Sequence, residues 1–66
     1  MRDPRKDPRP GDATYGNRTK YRIVARGPYT VHFVGYCEGH EPENRIMSIE
    51  AWRDNAKDDE VIDVAS

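Results

Sequence analysis

Apolar and polar positions alternate most regularly in residues 20–36, KYRIVARGPYTVHFVGY, the stretch that holds most of the β-branched and aromatic residues. In residues 20–26, Tyr21, Ile23 and Ala25 point one way and Lys20, Arg22 and Arg26 the other, with Val24 interrupting the polar face. A period of two marks a strand covered on one side. Gly27-Pro28 ends it, because proline has no N–H to give to a ladder. Residues 29–36 set Tyr29, Val31 and Phe33 against Thr30, His32, Val34 and Tyr36. Both faces are partly apolar, which predicts a strand in a strongly curled sheet, with Gly35 as a bulge or corner. Upstream, Pro10-Gly11-Asp12 is a turn signal, followed by a short edge strand over 13–15 and a two-residue hairpin turn at Gly16-Asn17.

Downstream, residues 37–44, CEGHEPEN, have no periodicity and predict a polar loop. Residues 45–47 return to extended geometry. Ser48 has the chemistry of a helix N-cap, a hydroxyl able to accept from an orphan amide of the first turn. Met47 before it and Trp52 after it match a hydrophobic staple. Ile49, Trp52 and Ala56 then share one face of a helix over about 49–57, and Val61-Ile62-Asp63-Val64 has the composition of a last strand. The order predicts a mainly β domain over residues 10–64. It would be a small, twisted, antiparallel five-stranded sheet or barrel with one short helix before the last strand, similar to the Src-homology-type small barrels.

The first nine residues stand apart. Asp-Pro-Arg occurs at 3–5 and again at 7–9, and prolines at this density forbid a helix. A flexible Pro/Arg-rich arm is expected over 1–9, either solvated or ordering on a partner.

Composition bounds the rest. Sixty-six residues with 35% hydrophobic and 35% charged content, and a mean hydropathy of -1.05, allow one domain with a thin core. Chains this short bury only about 60% of the surface that they expose unfolded. The single cysteine, Cys37, has no partner for an intrachain disulfide and suits a reducing compartment. No apolar run reaches the length of a membrane span, and no apolar region follows the basic start as it would in a signal peptide. The expectation is a cytoplasmic protein. The net charge of -1 gives no global drive toward nucleic acid or membrane.

Asp7-Pro8-Arg9-Pro10-Gly11-Asp12, Met47-Ser48-Ile49-Glu50-Ala51-Trp52 and Val61-Ile62, with the strands between them, resemble short phage and prophage proteins of uncharacterised function. These begin Asp-Pro-Arg-Pro-Gly-Asp, run into a β-meander, and place Ser-Leu-x-x-Trp at a helix start. The resemblance implies a mobile-element origin and carries no catalytic residues. Proteins of that origin often act by binding a host protein, and some inhibit host-defence nucleases of the CRISPR or restriction type.

Candidate chemistry is sparse. Cys37-x-x-His40 is half of a zinc-ligand pattern, with His32 as a third candidate, whereas structural zinc usually takes four ligands. The plainer reading is a polar loop around a small, partly buried thiol, with no cofactor. The same thiol and imidazoles are the only thiol–imidazole option for nucleophilic catalysis, and so small a chain leaves little room for a shaped, dry pocket, so no enzyme activity is expected. Lys20, Arg22 and Arg26, with Arg18, lie near Tyr15, Tyr29 and Tyr36, a mixture that can neutralise phosphates and stack on bases. Asp58, Asp59 and Glu60 lie in an acidic run from Asp54 to Asp63, which can occupy a basic groove by electrostatic complementarity. The preferred reading is a non-enzymatic module that binds a host or phage protein through these basic, aromatic and acidic residues, with inhibition of a host-defence nuclease as the narrower form that the resemblance implies. The alternative is a small-barrel nucleic-acid-binding protein. Open sheet edges and a thin core also suit a homodimer.

Overall fold

The computed structural model describes residues 2–65; Met1, the first residue of the expected arm, lies outside them. Five strands and one helix follow in the order β1 (Ala13–Gly16), β2 (Thr19–Arg26), β3 (Thr30–Cys37), β4 (Glu43–Ser48), α1 (Ile49–Ala56) and β5 (Glu60–Asp63). All strand pairs are antiparallel, and the sheet order is β4-β3-β2-β1-β5. The mainly β architecture with a helix before the last strand is the one that the pattern predicts. The barrel is not: β4 and β5 are the two free ends of an open, twisted sheet. With strands of four to eight residues, the meander twists without bringing its ends together, so the likeness to Src-homology-type barrels stops at the order of elements.

The β1–β2 turn lies one residue later than expected. Gly16 pairs with Thr19, and Asn17 and Arg18 are the two central residues, with φ of 51° and 62°. Positive φ at both positions gives the hairpin twist that matches its strands. Gly16 is required for space: a Cβ there would run into the carboxylate of Asp59.

Val24 marks a bulge. Ile23 pairs with Phe33, but Ala25 pairs with His32, so β2 changes phase between them. The expected inward Ala25 is therefore exposed, and Arg26, paired with Val31, comes round to the core side. One extra residue inverts every side chain beyond it.

Ile23, Val31, Phe33, Trp52 and Ala56 form the core, with Tyr21 and Met47 packed against it. Three rings meet in it: Tyr21 and Phe33 edge to face at 5.5 Å, Tyr21 and Trp52 edge to face at 6.3 Å, and Phe33 and Trp52 tilted at 5.1 Å. Such pairs add about 0.5–1.5 kcal/mol each beyond burial. The helix starts directly from β4. Ser48 Oγ accepts from the Ala51 amide at 3.1 Å, and Met47, one residue before that cap, packs on the core beside Trp52.

An eight-residue helix cannot cover one face of five strands, and the N-terminal segment completes the cover. In this structure the segment expected as an arm lies against the domain. Asp3 opens a turn whose carbonyl accepts from the Lys6 and Asp7 amides at 2.9 and 2.8 Å. Pro4 and Pro8 are buried. Trp52 Nε1 donates to the Pro4 carbonyl at 3.0 Å, and Arg53 Nε donates to the Lys6 carbonyl at 2.7 Å. Arg26 donates to the Asp7 carboxylate and the Pro8 carbonyl. The prolines that rule out a helix also fold cheaply, since their rings bury apolar surface with almost no side-chain entropy to lose.

Trp52→Ala is expected to lower stability by about 3–5 kcal/mol, read by chemical denaturation. Wild-type stability in that variant would contradict this packing. Removal of residues 1–8 should expose the indole, destabilise the domain and red-shift the Trp52 emission.

Candidate functional site

The two faces of the sheet differ. One packs under the helix and the N-terminal segment. The other is uncovered, and register places its residues in rows. Glu60, Tyr15, Lys20 and Tyr36 are successive partners across β5, β1, β2 and β3, so antiparallel pairing sets them on one face in one line. Tyr15 is 44% and Tyr36 45% exposed. In the next row Arg22 lies between Ala13 and Val34, with Asn44 beyond Val34 on β4. Arg22 donates to the Gly11 carbonyl at 3.0 Å and pairs with Asp63 at 3.2 Å. Ala25, His32 and Ile46 form the third row, in which Ile46 is 70% exposed and His32 Nε2 lies 3.3 Å from Asn44 Oδ1.

The eight residues singled out from sequence therefore separate. Lys20, Tyr36 and Glu60 come together with Tyr15, and Arg22 adjoins them. Tyr29, 81% exposed, sits at the opposite end of the strands, beside a shallow cavity lined by Pro28, Ile49, Glu50 and Arg53. Arg26 is engaged with the N-terminal segment. In the acidic run, Asp58 and Glu60 are exposed while Asp59 is buried, and Asp63 is paired with Arg22. The continuous acidic surface expected there is thus interrupted. Cys37 and His40 belong to one turn, with the His40 amide donating to the Cys37 carbonyl at 3.0 Å. Among the described residues no three His, Cys, Asp or Glu side chains are grouped to hold a metal ion. No helix among them is long and apolar enough to cross a membrane.

Two buried carboxylates were not legible as a pair in the sequence, and they have opposite surroundings. Asp12 is fully buried. Its Oδ1 accepts from Arg2 Nη2 at 2.8 Å and the Ala65 amide at 2.7 Å; its Oδ2 accepts from the Arg9 amide at 2.8 Å and from Arg2 Nη1. Burial alone would raise its pKa, but the Arg2 pair and the two amides outweigh it and hold the carboxyl below the ordinary aspartate value. Asp59 has one side-chain donor, Thr14 Oγ1 at 3.2 Å. Burial pushes its carboxyl up, with Asp58 adding to the rise, and the Thr14 hydroxyl and Arg5 offset only part of it.

A second concavity lies between helix and sheet. It encloses about 180 Å³ and is lined by Tyr21, Phe33, Met47, Trp52 and Ala56, with Asn17, Arg45, Asn55 and Asp59 supplying the polar groups. Its aromatic wall is the edge of the core, left open where the helix ends.

The two carboxylates tie stability to pH with opposite signs. A lowered folded pKa means that the contribution of Asp12 is present above the unfolded value and is lost as pH falls through the folded one. A raised folded pKa means that protonation of Asp59 favours the fold, so its contribution grows on acidification. Asp12→Asn should lower stability at neutral pH and flatten the acid limb of a stability–pH profile. Asp59→Asn should leave neutral-pH stability equal or higher and steepen that limb. Scans of family models, curated proteins and solved structures find no match to this chain.

Proposed function

We propose that this protein is a non-enzymatic protein-binding module whose contact surface is the uncovered face of its sheet. The observation that carries the reading is the row Glu60–Tyr15–Lys20–Tyr36, which spans four strands with both tyrosines about half exposed. Tyrosine and arginine dominate binding hot spots because they add large, rigid, amphipathic area at little entropic cost. Strands hold this row to the pitch of the sheet, so the surface is preorganised.

Charge favours a protein over a nucleic acid as the occupant. Glu60 stands in the same row as Lys20, and Arg22 is already neutralised by Asp63. A surface that tracks phosphates is continuously basic, whereas alternating signs give complementarity to another folded surface. The nucleic-acid reading draws on the same two tyrosines flanking Lys20, with Arg18 in the adjoining turn. The narrower reading, inhibition of a host-defence nuclease in a bacterial cytoplasm, draws on the resemblance to phage proteins and on Asp54, Asp58 and Glu60, which remain exposed.

Tyr36→Ala and Tyr15→Ala should each leave stability within about 0.5 kcal/mol of wild type. Each should weaken binding of a partner captured from host lysate by about 30-fold, the size of a hot-spot loss near 2 kcal/mol. Equal capture by wild type and the double variant would remove the open face as the contact surface. Retardation of single-stranded DNA or RNA at low salt, abolished in the same variants, would give the face to nucleic acid instead. Addition of the protein to restriction and CRISPR nuclease reactions tests the narrower reading.

A further inference from the structure

The cavity between α1 and the sheet has a composition unlike the rest of the surface. Three ring systems, Tyr21, Phe33 and Trp52, line it with Met47, and one carboxylate, Asp59, lies in the same wall. Thr14 donates to Asp59 Oδ2, while Oδ1 has no hydrogen-bond donor among the described residues. Every fully buried side-chain nitrogen or oxygen among those residues does have a partner, so Oδ1 keeps a path out of the protein. The charges that act on Asp59 are Asp58 and Arg5, and Arg5 spends its own guanidinium on the Asp3 carboxylate and the Asp59 carbonyl. Asp59 is thus a desolvated anion without a side-chain cation of its own, beside aromatic faces.

We propose that this cavity is a binding site for an arginine side chain of the protein partner, with Asp59 Oδ1 accepting from the guanidinium and the half-buried Tyr21 ring, set edge-on to the buried Trp52 indole, against one of its planar faces. A guanidinium is weakly hydrated, stacks on rings and donates in a fork that suits a carboxylate. The volume of about 180 Å³ accommodates that head and part of its stem. The surroundings carry the same sign of complementarity. A shallower groove continues over Thr19, Tyr21 and Gly35 and adds Glu41 and Glu43. Arg45 is shared by the two concavities and opposes an incoming cation, but it is exposed, so solvent screens its charge more than that of the buried Asp59. This inference deepens the protein-binding reading by naming the chemistry of one contact, and it uses the covered side of the sheet, not the open face.

Trp52 is the only tryptophan in the chain, so its emission reports this cavity directly. Titration with the blocked single residue N-acetyl-arginine-amide should shift that emission saturably at millimolar concentration. The isosteric but uncharged N-acetyl-citrulline-amide should not, and N-acetyl-lysine-amide should act at least ten-fold more weakly. Asp59→Asn, which keeps an oxygen for Thr14, should abolish the response with the melting temperature unchanged or raised. Tyr21→Leu serves as a second variant and should weaken the response several-fold. An equal response to citrulline, or an undiminished one in Asp59→Asn, overturns the proposal. So does an arginine response mapped by NMR to Tyr15 and Tyr36. The probes need no partner, so a saturable response stands even if the open face proves inert, and failure here leaves the test of the open face intact.

Discussion

The fold depends on the indole of Trp52 being covered from both sides. Its rings close the core against Phe33 and Tyr21, and its N–H, buried with them, must find an acceptor. No strand can provide one, because the ladder carbonyls of a sheet face sideways into other strands. The acceptor is the carbonyl of Pro4, which makes the N-terminal segment part of the core and not an appendage. Asp12 secures the same closure from the other side. It joins Arg2 and Ala65 at the entrance to β1, so that both ends of the chain converge on one carboxylate. With a single cysteine in the sequence, a buried ion pair with extra amide donors is one way to hold together residues as far apart as Arg2 and Ala65.

The elements were legible in the sequence where a local rule acts alone. Ser48 caps the helix because its hydroxyl reaches an amide three residues on, and residues 20–26 alternate because a strand does. Legibility failed where the outcome depends on what faces the segment. Val24 broke the alternation, but only the partner strand shows that it is a bulge that turns Ala25 outward and Arg26 inward. The Pro-rich start read as solvated because it has no apolar period. Its burial comes instead from two proline rings and from backbone carbonyls that answer Trp52 and Arg53, contacts between residues nearly fifty positions apart. Likewise the row Glu60–Tyr15–Lys20–Tyr36 draws one residue from each of four strands, and no spacing within the chain announces it.

The acidic run shows the same limit from the side of chemistry. As a sequence, Asp58, Asp59 and Glu60 are three equal charges. In the fold they have three fates: Asp58 stays in solvent, Glu60 joins the open face of the sheet, and Asp59 turns under the first hairpin, where Gly16 leaves room for it and Thr14 meets it. A surface that mimics the spacing of phosphates needs its charges in register, and Asp59 drops out of that row while Asp58 and Glu60 stay exposed. The same turn sets a carboxylate beside the aromatic edge of the core.

Asp12 and Asp59 then pose a single question with two answers. Both are aspartates desolvated by folding. One is met by a bidentate guanidinium and two amides, and it repays its burial. The other is met by one hydroxyl. A protein that needed only stability would do better with Asn or Thr at position 59, since an uncompensated carboxylate opposes folding. Groups that oppose folding while facing a cavity are the ones that a ligand can relieve, because the ligand supplies the missing charge only when it binds. The asymmetry between the two carboxylates sets a chemically distinct spot on the covered side of this sheet, apart from its open face, where the electrostatics of the core are left unfinished.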